Sequence, residues 1–317
     1  MIDAFCHVLP EKYLEKMSVF GGWSNAILLN DMEARAAEMK THGDLKQVLT
    51  LSVPEFFDKL DDEAAIELVR LANDSMAEVV REYPEQFPAA IATVYMGDVE
   101  EAVREIDRCV KEYDFRGVQL PTTFRGKPLA SEEFFPIYEK MAELDLPILV
   151  HPCPGPMSKP DFIFDWPLET SWMMIQLATS GVFEKWPDIK FVTHHCGAMI
   201  PFWHGRLYKG WFVNRFYEEK ANGRELEKTP EEYFENLRKF YADTALYGDC
   251  TSGIQTGIDF FGVDHILFGT DYPLNGVRNP HGIGETANTI DSIQRLKVTD
   301  EERQLIFEGN AKRIFKL

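Results

Sequence analysis

The sequence predicts an α/β fold of the TIM-like (β/α)8 barrel type, and three observations lead to this class. Eight short runs rich in β-branched and aromatic residues recur along the chain, and amphipathic helical stretches separate most of them. The average step between runs is about 38 residues, whereas one βα unit takes roughly 30 residues before loop insertions. A chain of 317 residues is therefore long enough for eight such units.

The predicted strands begin at the second residue and continue towards the carboxyl terminus. In chain order they are Ile2–Phe5, Gln47–Ser52, Ala89–Tyr95, Gly117–Leu120, Pro147–His151, Lys190–His194, Phe240–Thr244 and Ile266–Thr270. Strand and helix signals alternate to the end, and no Gly/Ser linker interrupts them. We therefore expect one barrel domain over residues 1–317 instead of two domains.

The segments between these runs carry the signals of amphipathic helices. Asp31 is a candidate N-cap for a helix over Met32–His42. Glu63–Tyr83 places apolar residues at helical spacing on one face, with charged residues opposite. Ser131–Leu144 and Thr299–Phe307 each begin with a hydroxyl residue followed by acids, which is typical of a helix start.

Composition argues against several classes of partner. The chain has 52 acidic and 33 basic residues and a formal net charge of -19, so we expect no binding to nucleic acid. No apolar run is long enough for a membrane span, and the amino terminus lacks the features of a secretory signal. The 5 cysteines include no CxxC pair, so we expect no disulfide framework and a cytoplasmic protein.

Histidines and one aspartate fall at the ends of predicted strands. His7 follows the first strand, His151 ends the fifth, His194 and His195 end the sixth, and Asp271 follows the eighth. Taken singly, each could be a hydrogen-bonded loop or turn residue. The carboxyl ends of barrel strands converge on one mouth, however, so we expect these side chains to meet. Imidazoles with a carboxylate form the ligand sets of catalytic zinc, manganese and iron sites.

These stretches resemble the amidohydrolase superfamily, in the branch that holds the aminocarboxymuconate-semialdehyde, resorcylate and carboxyvanillate decarboxylases together with related hydratases and hydrolases. The matching stretches cover nearly the whole chain in order. They are Ile2–His7 with Pro10, Pro147–Pro152, Gly181–Pro187, His195–Gly197, Phe268–Pro273 and Asn310–Leu317. The resemblance implies an amidohydrolase-type barrel and a metal-dependent enzyme.

The resemblance also implies a set of metal ligands. Family members begin with a His-x-His pair in which both histidines bind metal, but this chain has Phe5 in place of the first. The implied ligands are therefore His7, His151 and Asp271, with one divalent ion. Zn²⁺ is the first candidate and Mn²⁺ the alternative. A metal-free pocket in which Phe5 is an apolar wall stays open.

The resemblance assigns proton transfer to His195, because this residue precedes Cys-Gly and lies six residues before Pro201. Asp271 is implied as a second catalytic group. Histidine titrates near neutral pH and therefore suits general acid–base work. Strand alternation leads us to expect His194 on the opposite face, packed behind the barrel.

Three residues are predicted to bind the substrate. The rings of Phe5 and Trp166 suit a planar molecule, and Arg206 could hold a carboxylate bidentately. A surface ion pair is an equally open interpretation of Arg206. The predicted partner is a small-molecule carboxylate, and a homo-oligomer is compatible with the sequence.

Three functions are consistent with this site. The first is a metal-dependent lyase that decarboxylates an aromatic or unsaturated carboxylic acid. The second is hydrolysis or hydration by the same centre, since a bound metal makes hydroxide available at neutral pH. The third is a barrel that binds a small molecule without catalysis. The branch resemblance favours the first.

Overall fold

The eight predicted strands are all present. The computed structural model describes residues 1–18, 27–52, 54–153, 163–223, 228–273 and 283–317. The barrel strands are β1 (Ile2–Val8), β2 (Lys46–Leu51), β3 in two pieces (Ala89–Ala90 and Ala92–Thr93), β4 (Val118–Pro121), β5 (Ile148–His151), β6 (Phe191–Thr193), β7 (Tyr241–Asp243) and β8 (Ile266–Leu267). Each lies within or overlaps one of the predicted runs.

Each strand pairs in parallel with the next one along the chain. The first piece of β3 pairs with β2 and the second with β4, so β3 joins the two halves of the sheet. The ring closes between β8 and β1, where the Ala4 amide donates to the Phe268 carbonyl at 2.8 Å and the Asp271 amide to the Phe5 carbonyl at 2.9 Å. Sequential parallel pairing with closure is the TIM-barrel arrangement, which confirms the predicted fold class.

The α-helices lie mainly between successive strands. Those in the described residues are Glu11–Ser18, Met32–Met39, Asp62–Glu82, Val99–Tyr113, Phe135–Leu144, Asp165–Ala178, Val182–Lys185, Ile200–Leu207, Asn214–Ala221, Pro230–Asn236, Thr251–Phe261, Ile283–Gln294, Asp300–Gln304 and Asn310–Phe315. Asp31 caps its helix as predicted, accepting from the Ala34 amide, and Thr299 forms a capping box with Glu302. None of these helices is long and apolar enough to cross a membrane.

Small apolar side chains from successive strands fill the barrel interior. They form one cluster with the last helix, made of Ile2, Ala4, Val48, Ala89, Ile91, Leu149, Val192, Leu267, Ala311, Ile314 and Phe315. The larger cluster lies between strands and helices. The interior below the mouth is thus apolar, and the polar groups described next are placed at the carboxyl ends of the strands.

Gly269 lets three strands approach one another beside that mouth. A Cβ atom built on it would lie 2.8 Å from the Asp243 Cβ and 3.2 Å from the Phe5 Cβ. We expect Gly269→Ala to lower the free energy of unfolding by about 1–3 kcal/mol, measured by urea denaturation, because neither neighbour can move easily. Gly205→Ala is the control, since nothing lies within 4 Å of an added Cβ there. Equal stability of Gly269→Ala and the native protein would contradict this packing.

Candidate active site

Phe5 occupies the centre of the site. The pairing of β1 with β2 shifts register between Asp3 and Cys6, and such a bulge re-aims the side chains that follow. The Phe5 ring is buried and its centroid lies 3.6 Å from that of His194, 4.7 Å from His7, 6.0 Å from His195 and 6.3 Å from His151. Phe5 therefore contacts the site without offering a ligand atom.

His7 and Asp271 meet across the closure of the barrel. The His7 Nε2 lies 3.0 Å from the Asp271 Oδ1, and both side chains are buried. The Thr50 hydroxyl lies 2.8 Å from the Cys6 carbonyl oxygen and 3.2 Å from the His7 Nδ1, and when it donates to the carbonyl it accepts from the His7 Nδ1–H. In that tautomer the His7 Nε2 lone pair faces a carboxylate oxygen. Two acceptors at this separation need a cation, either a proton on Nε2 or a metal ion.

Asp271 is held in its charged form. Burial is the largest single effect and would raise its pKa, but the contacts with His7, His195 and Tyr247 together outweigh burial and leave the pKa below the ordinary value. Its Oδ2 accepts a hydrogen bond from the Tyr247 hydroxyl. The backbone of Asp271 is left-handed, with φ 58°, immediately after the point where the chain pairs with Phe5. An anion is therefore fixed opposite the His7 nitrogen.

His151 ends β5 and completes the predicted ligand trio. Its ring centroid lies 5.3 Å from that of His7 and 5.6 Å from the nearer ring of Trp166. Burial lowers its pKa well below the ordinary value, and the neighbouring His7 and His194 add to this effect. His151 is therefore neutral at physiological pH, which is the state that accepts a proton or binds a metal.

The prediction that His194 packs behind the barrel is wrong. Val192 packs inside the barrel with Leu149, so alternation places His194 inward, as it does His151 two residues after Leu149. His195 also reaches the mouth, because the strand ends at Thr193 and His195 has a left-handed φ of 55°. Both histidines therefore belong to the site.

Asp243, the last residue of β7, orients both of these histidines. Its Oδ2 accepts from the His194 Nδ1 at 2.5 Å, and its Oδ1 accepts from the His195 and Ala245 amides at 3.0 Å each. The His195 Nδ1 donates to the Ala245 carbonyl at 2.8 Å. The acceptors fix the tautomers, so His194 and His195 carry a proton on Nδ1 and, when neutral, have their lone pair on Nε2.

These donors can be compared with the requirements of a metal ion. Metal-binding histidines nearly always donate their other ring N–H to a fixed acceptor, and the Thr50 hydroxyl at 3.2 Å can serve the His7 Nδ1 in this way. A bond of about 2.1 Å from metal to nitrogen places two ligand rings about 5–6 Å apart, as His7 and His151 are. Within the described ranges, however, no group of three or more His, Cys, Asp or Glu side chains is arranged as an ion shell. The donor chemistry fits a divalent ion, although the shell is not closed.

The predicted substrate residues are only partly brought together. Trp166 begins the helix Asp165–Ala178, and its ring lies against His151. Arg206 is exposed on the helix Ile200–Leu207, with its guanidinium 5.7 Å from the Trp203 ring centroid, and no contact described here brings it to the site. The role of Arg206 in holding a substrate carboxylate therefore stays a prediction.

Three further residues were not predicted from the sequence. Thr50 contacts the His7 Nδ1, Asp243 orients His194 and His195, and Tyr247 donates to Asp271. An acidic residue near the carboxyl end of an apolar β-run could have drawn attention to Asp243. Tyr247 lies in a loop with φ 56°, and no sequence pattern indicates its direction.

Asp3 supports the site from beneath. It accepts from the Thr270 hydroxyl at 2.7 Å, the Thr270 amide at 3.1 Å, the Phe5 amide at 3.2 Å and the Gln47 side chain at 3.2 Å. Burial raises the pKa of Asp3 to about 7, despite these hydrogen bonds and the nearby Arg35. Asp3 therefore joins β1 to the segment after β8 and titrates near neutral pH.

The raised pKa of Asp3 makes the folded protein less stable as pH rises. The folded protein holds the Asp3 proton more tightly than the unfolded chain, so this contribution is present at low pH and lost as pH rises through about 7. We expect the free energy of unfolding of the native protein, measured with urea relative to that of Asp3→Asn, to fall by about 2–3 kcal/mol between pH 5 and pH 8. Asp44→Asn, at an exposed carboxyl, should show no such change. An identical difference at both pH values would contradict the raised pKa.

Known proteins resemble this chain along most of its length. A gamma-resorcylate decarboxylase from Polaromonas sp. (strain JS666) is 29% identical over 313 residues, covering 92% of this chain and 89% of its own. A 2-keto-4-carboxy-3-hexenedioate hydratase from Sphingobium sp. is 28% identical over 270 residues, covering 80% and 73%.

A solved structure shares the fold over the full length. It is the 5-carboxyvanillate decarboxylase from Novosphingobium aromaticivorans, complexed with manganese and 4-hydroxy-3-methoxy-5-nitrobenzoic acid. It has a TM-score of 0.80 and 25% identity, and the match covers 100% of this chain and 96% of that one. The sequence profile of the Amidohydrolase family matches residues 2–317. The chain therefore belongs to the Amidohydrolase family.

Proposed function

We propose that the protein decarboxylates a small aromatic or unsaturated carboxylic acid with the help of one divalent metal ion. The observation that carries this proposal is the buried contact of 3.0 Å between the His7 Nε2 and the Asp271 Oδ1, with the His151 ring centroid 5.3 Å from that of His7. The decarboxylases among its relatives support the choice of reaction.

His7, His151 and Asp271 would hold the metal. Two imidazoles and a carboxylate suit zinc, whereas the solved neighbour holds manganese, so Zn²⁺ and Mn²⁺ are the two candidates. When bound, the ion would polarise a substrate oxygen next to the scissile carboxylate. Asp271 would also supply the negative charge that balances the ion in this buried place.

His195 would deliver the proton that the reaction needs. Decarboxylation replaces a carbon–carboxylate bond with a carbon–hydrogen bond, so one proton must reach the carbon that loses CO₂. The His195 Nδ1–H is fixed on the Ala245 carbonyl, so the Nε2 lone pair would take up a proton from solvent and donate it to that carbon. The electron pair of the broken C–C bond then restores the conjugated system, and His195 is reprotonated from solvent.

Phe5 and Trp166 would shape the pocket for a planar molecule. The Phe5 ring is buried among the imidazoles, and Trp166 lies against His151 at the edge of the site. Apolar rings beside the reacting carboxylate keep water away, which favours loss of a charged group as neutral CO₂. Both rings therefore support decarboxylation over reactions that consume water.

Hydration is the second candidate, because the Sphingobium relative is a hydratase. The test is to incubate the metal-supplemented protein with gamma-resorcylate, 5-carboxyvanillate and 2-keto-4-carboxy-3-hexenedioate, and to follow CO₂ release and product mass. We expect CO₂ from at least one aromatic carboxylate. Addition of water to the hexenedioate without CO₂ would favour the hydratase, and no reaction with any of these acids would contradict the proposal for this substrate class.

A further inference from the structure

His194 is a fourth imidazole of the site, and neither the family resemblance nor the three-ligand proposal gives it a role. We infer that His194 binds the same divalent ion through Nε2, supplying the imidazole that Phe5 does not, with Asp243 holding its other nitrogen. This inference rests on the proposed metal-dependent function and concerns which residues form the ligand shell.

The first argument is the state of the His194 ring. It is fully buried, and its Nδ1 donates to the Asp243 carboxylate at 2.5 Å. Its Nε2 is also buried and has no hydrogen-bond partner among the described residues. A buried polar nitrogen without a partner costs free energy, so a histidine kept only for packing would be a poor choice here.

The second argument is position. The His194 and Phe5 rings are stacked, with centroids 3.6 Å apart and an angle of 14° between their planes. His194 thus lies directly beside the residue that stands where the family's first ligand would be. Its centroid is 6.2 Å from that of His151, slightly beyond the spacing of about 5–6 Å for two rings that share one metal ion, so a small inward movement of the rings would accompany binding.

The third argument is the pairing with Asp243. A carboxylate that accepts the second N–H of a ligand histidine fixes its orientation and increases its basicity. Asp243 is itself fixed, because its Oδ1 accepts the His195 and Ala245 amides. The carboxylate–imidazole pair is therefore rigid, as a metal ligand requires, and the change from histidine to phenylalanine at position 5 is compensated from β6.

The test measures the Kd for Zn²⁺ and for Mn²⁺ by competition with a chromophoric chelator, without any activity assay. We expect His194→Ala to bind at least about 100-fold more weakly than the native protein, and Asp243→Asn about 10–100-fold more weakly. His265→Ala is the matched control, because this histidine also has its Nδ1 in a hydrogen bond, to the Phe240 carbonyl, but lies at the opposite end of the barrel strands. It should bind like the native protein.

A second variant separates ligation from packing. Adding Phe5→His to His194→Ala should recover most of the lost affinity, because it returns an imidazole to the neighbouring position. His194→Gln keeps a planar group that can donate to Asp243. It replaces His194→Ala in the affinity measurement if the alanine variant does not fold. The inference would be overturned, and the proposed function left standing, by either of two results. One is a loss of metal affinity in His194→Ala that Phe5→His does not recover, and the other is native metal affinity in both His194→Ala and His194→Gln. Absence of metal binding by the native protein would contradict the proposed function as well.

Discussion

Replacing Asp271 with asparagine is expected to weaken metal binding by at least about 100-fold and to abolish decarboxylation. Asp271 is the buried anion opposite the His7 Nε2, so its loss removes both a ligand oxygen and the charge that balances the cation. An asparagine amide could instead donate to the Nε2 lone pair and fill the place that the cation needs. The measurements are metal affinity by chelator competition and CO₂ release.

The same substitution should also remove the stabilisation of the fold by metal. In chelator a proton between the His7 Nε2 and the Asp271 Oδ1 can keep their contact at 3.0 Å. We expect added metal to raise the Tm of the native protein and to leave the Tm of Asp271→Asn unchanged, because a ligand stabilises only a protein that binds it. Asp249→Asn, an exposed partner of Arg295, is the control. A metal-dependent rise of the same size in Asp271→Asn would refute this role.

His195→Asn should lower kcat by about 10²–10⁴-fold and leave metal affinity within a few-fold of native. The reason is that His195 has its Nδ1 fixed on the Ala245 carbonyl and its Nε2 available to carry the proton. The asparagine amide can still donate to the Ala245 carbonyl, but it cannot transfer a proton near neutral pH. Steady-state CO₂ release and the chelator assay measure the two effects separately.

His265→Asn is the control for this experiment. His265 also has its Nδ1 on a backbone carbonyl, that of Phe240, but it precedes β8 at the opposite end of the barrel. Its replacement should leave kcat unchanged. If His195→Asn retains native kcat, or loses metal and activity in parallel, proton transfer belongs to another residue.

The fold was predictable because its signals are local. Each barrel strand is a short apolar run, and the predicted helix starts at Asp31 and Thr299 are confirmed by side-chain caps. The convergence of His7, His151 and Asp271 followed from topology alone, since the carboxyl ends of parallel barrel strands share one mouth.

The details of the site depend on features that sequence patterns do not encode. His194 was assigned to the wrong face because alternation was counted from His195, which reaches the mouth only through a left-handed backbone. The bulge in β1 that turns Phe5 towards the imidazoles leaves no sequence signal either. The role of Arg206 in substrate binding stays a prediction, because its side chain is exposed and the contact given for it is with the Trp203 ring.

The central claim is that this barrel holds one catalytic divalent ion beside His7 and Asp271. Elemental analysis of protein purified without chelator tests it most directly. We predict about one zinc or manganese ion per chain, removed by chelator together with the capacity to release CO₂ and restored by adding the ion back. Folded protein that contains far less than one ion per chain, and that releases CO₂ equally well in chelator, would contradict the claim.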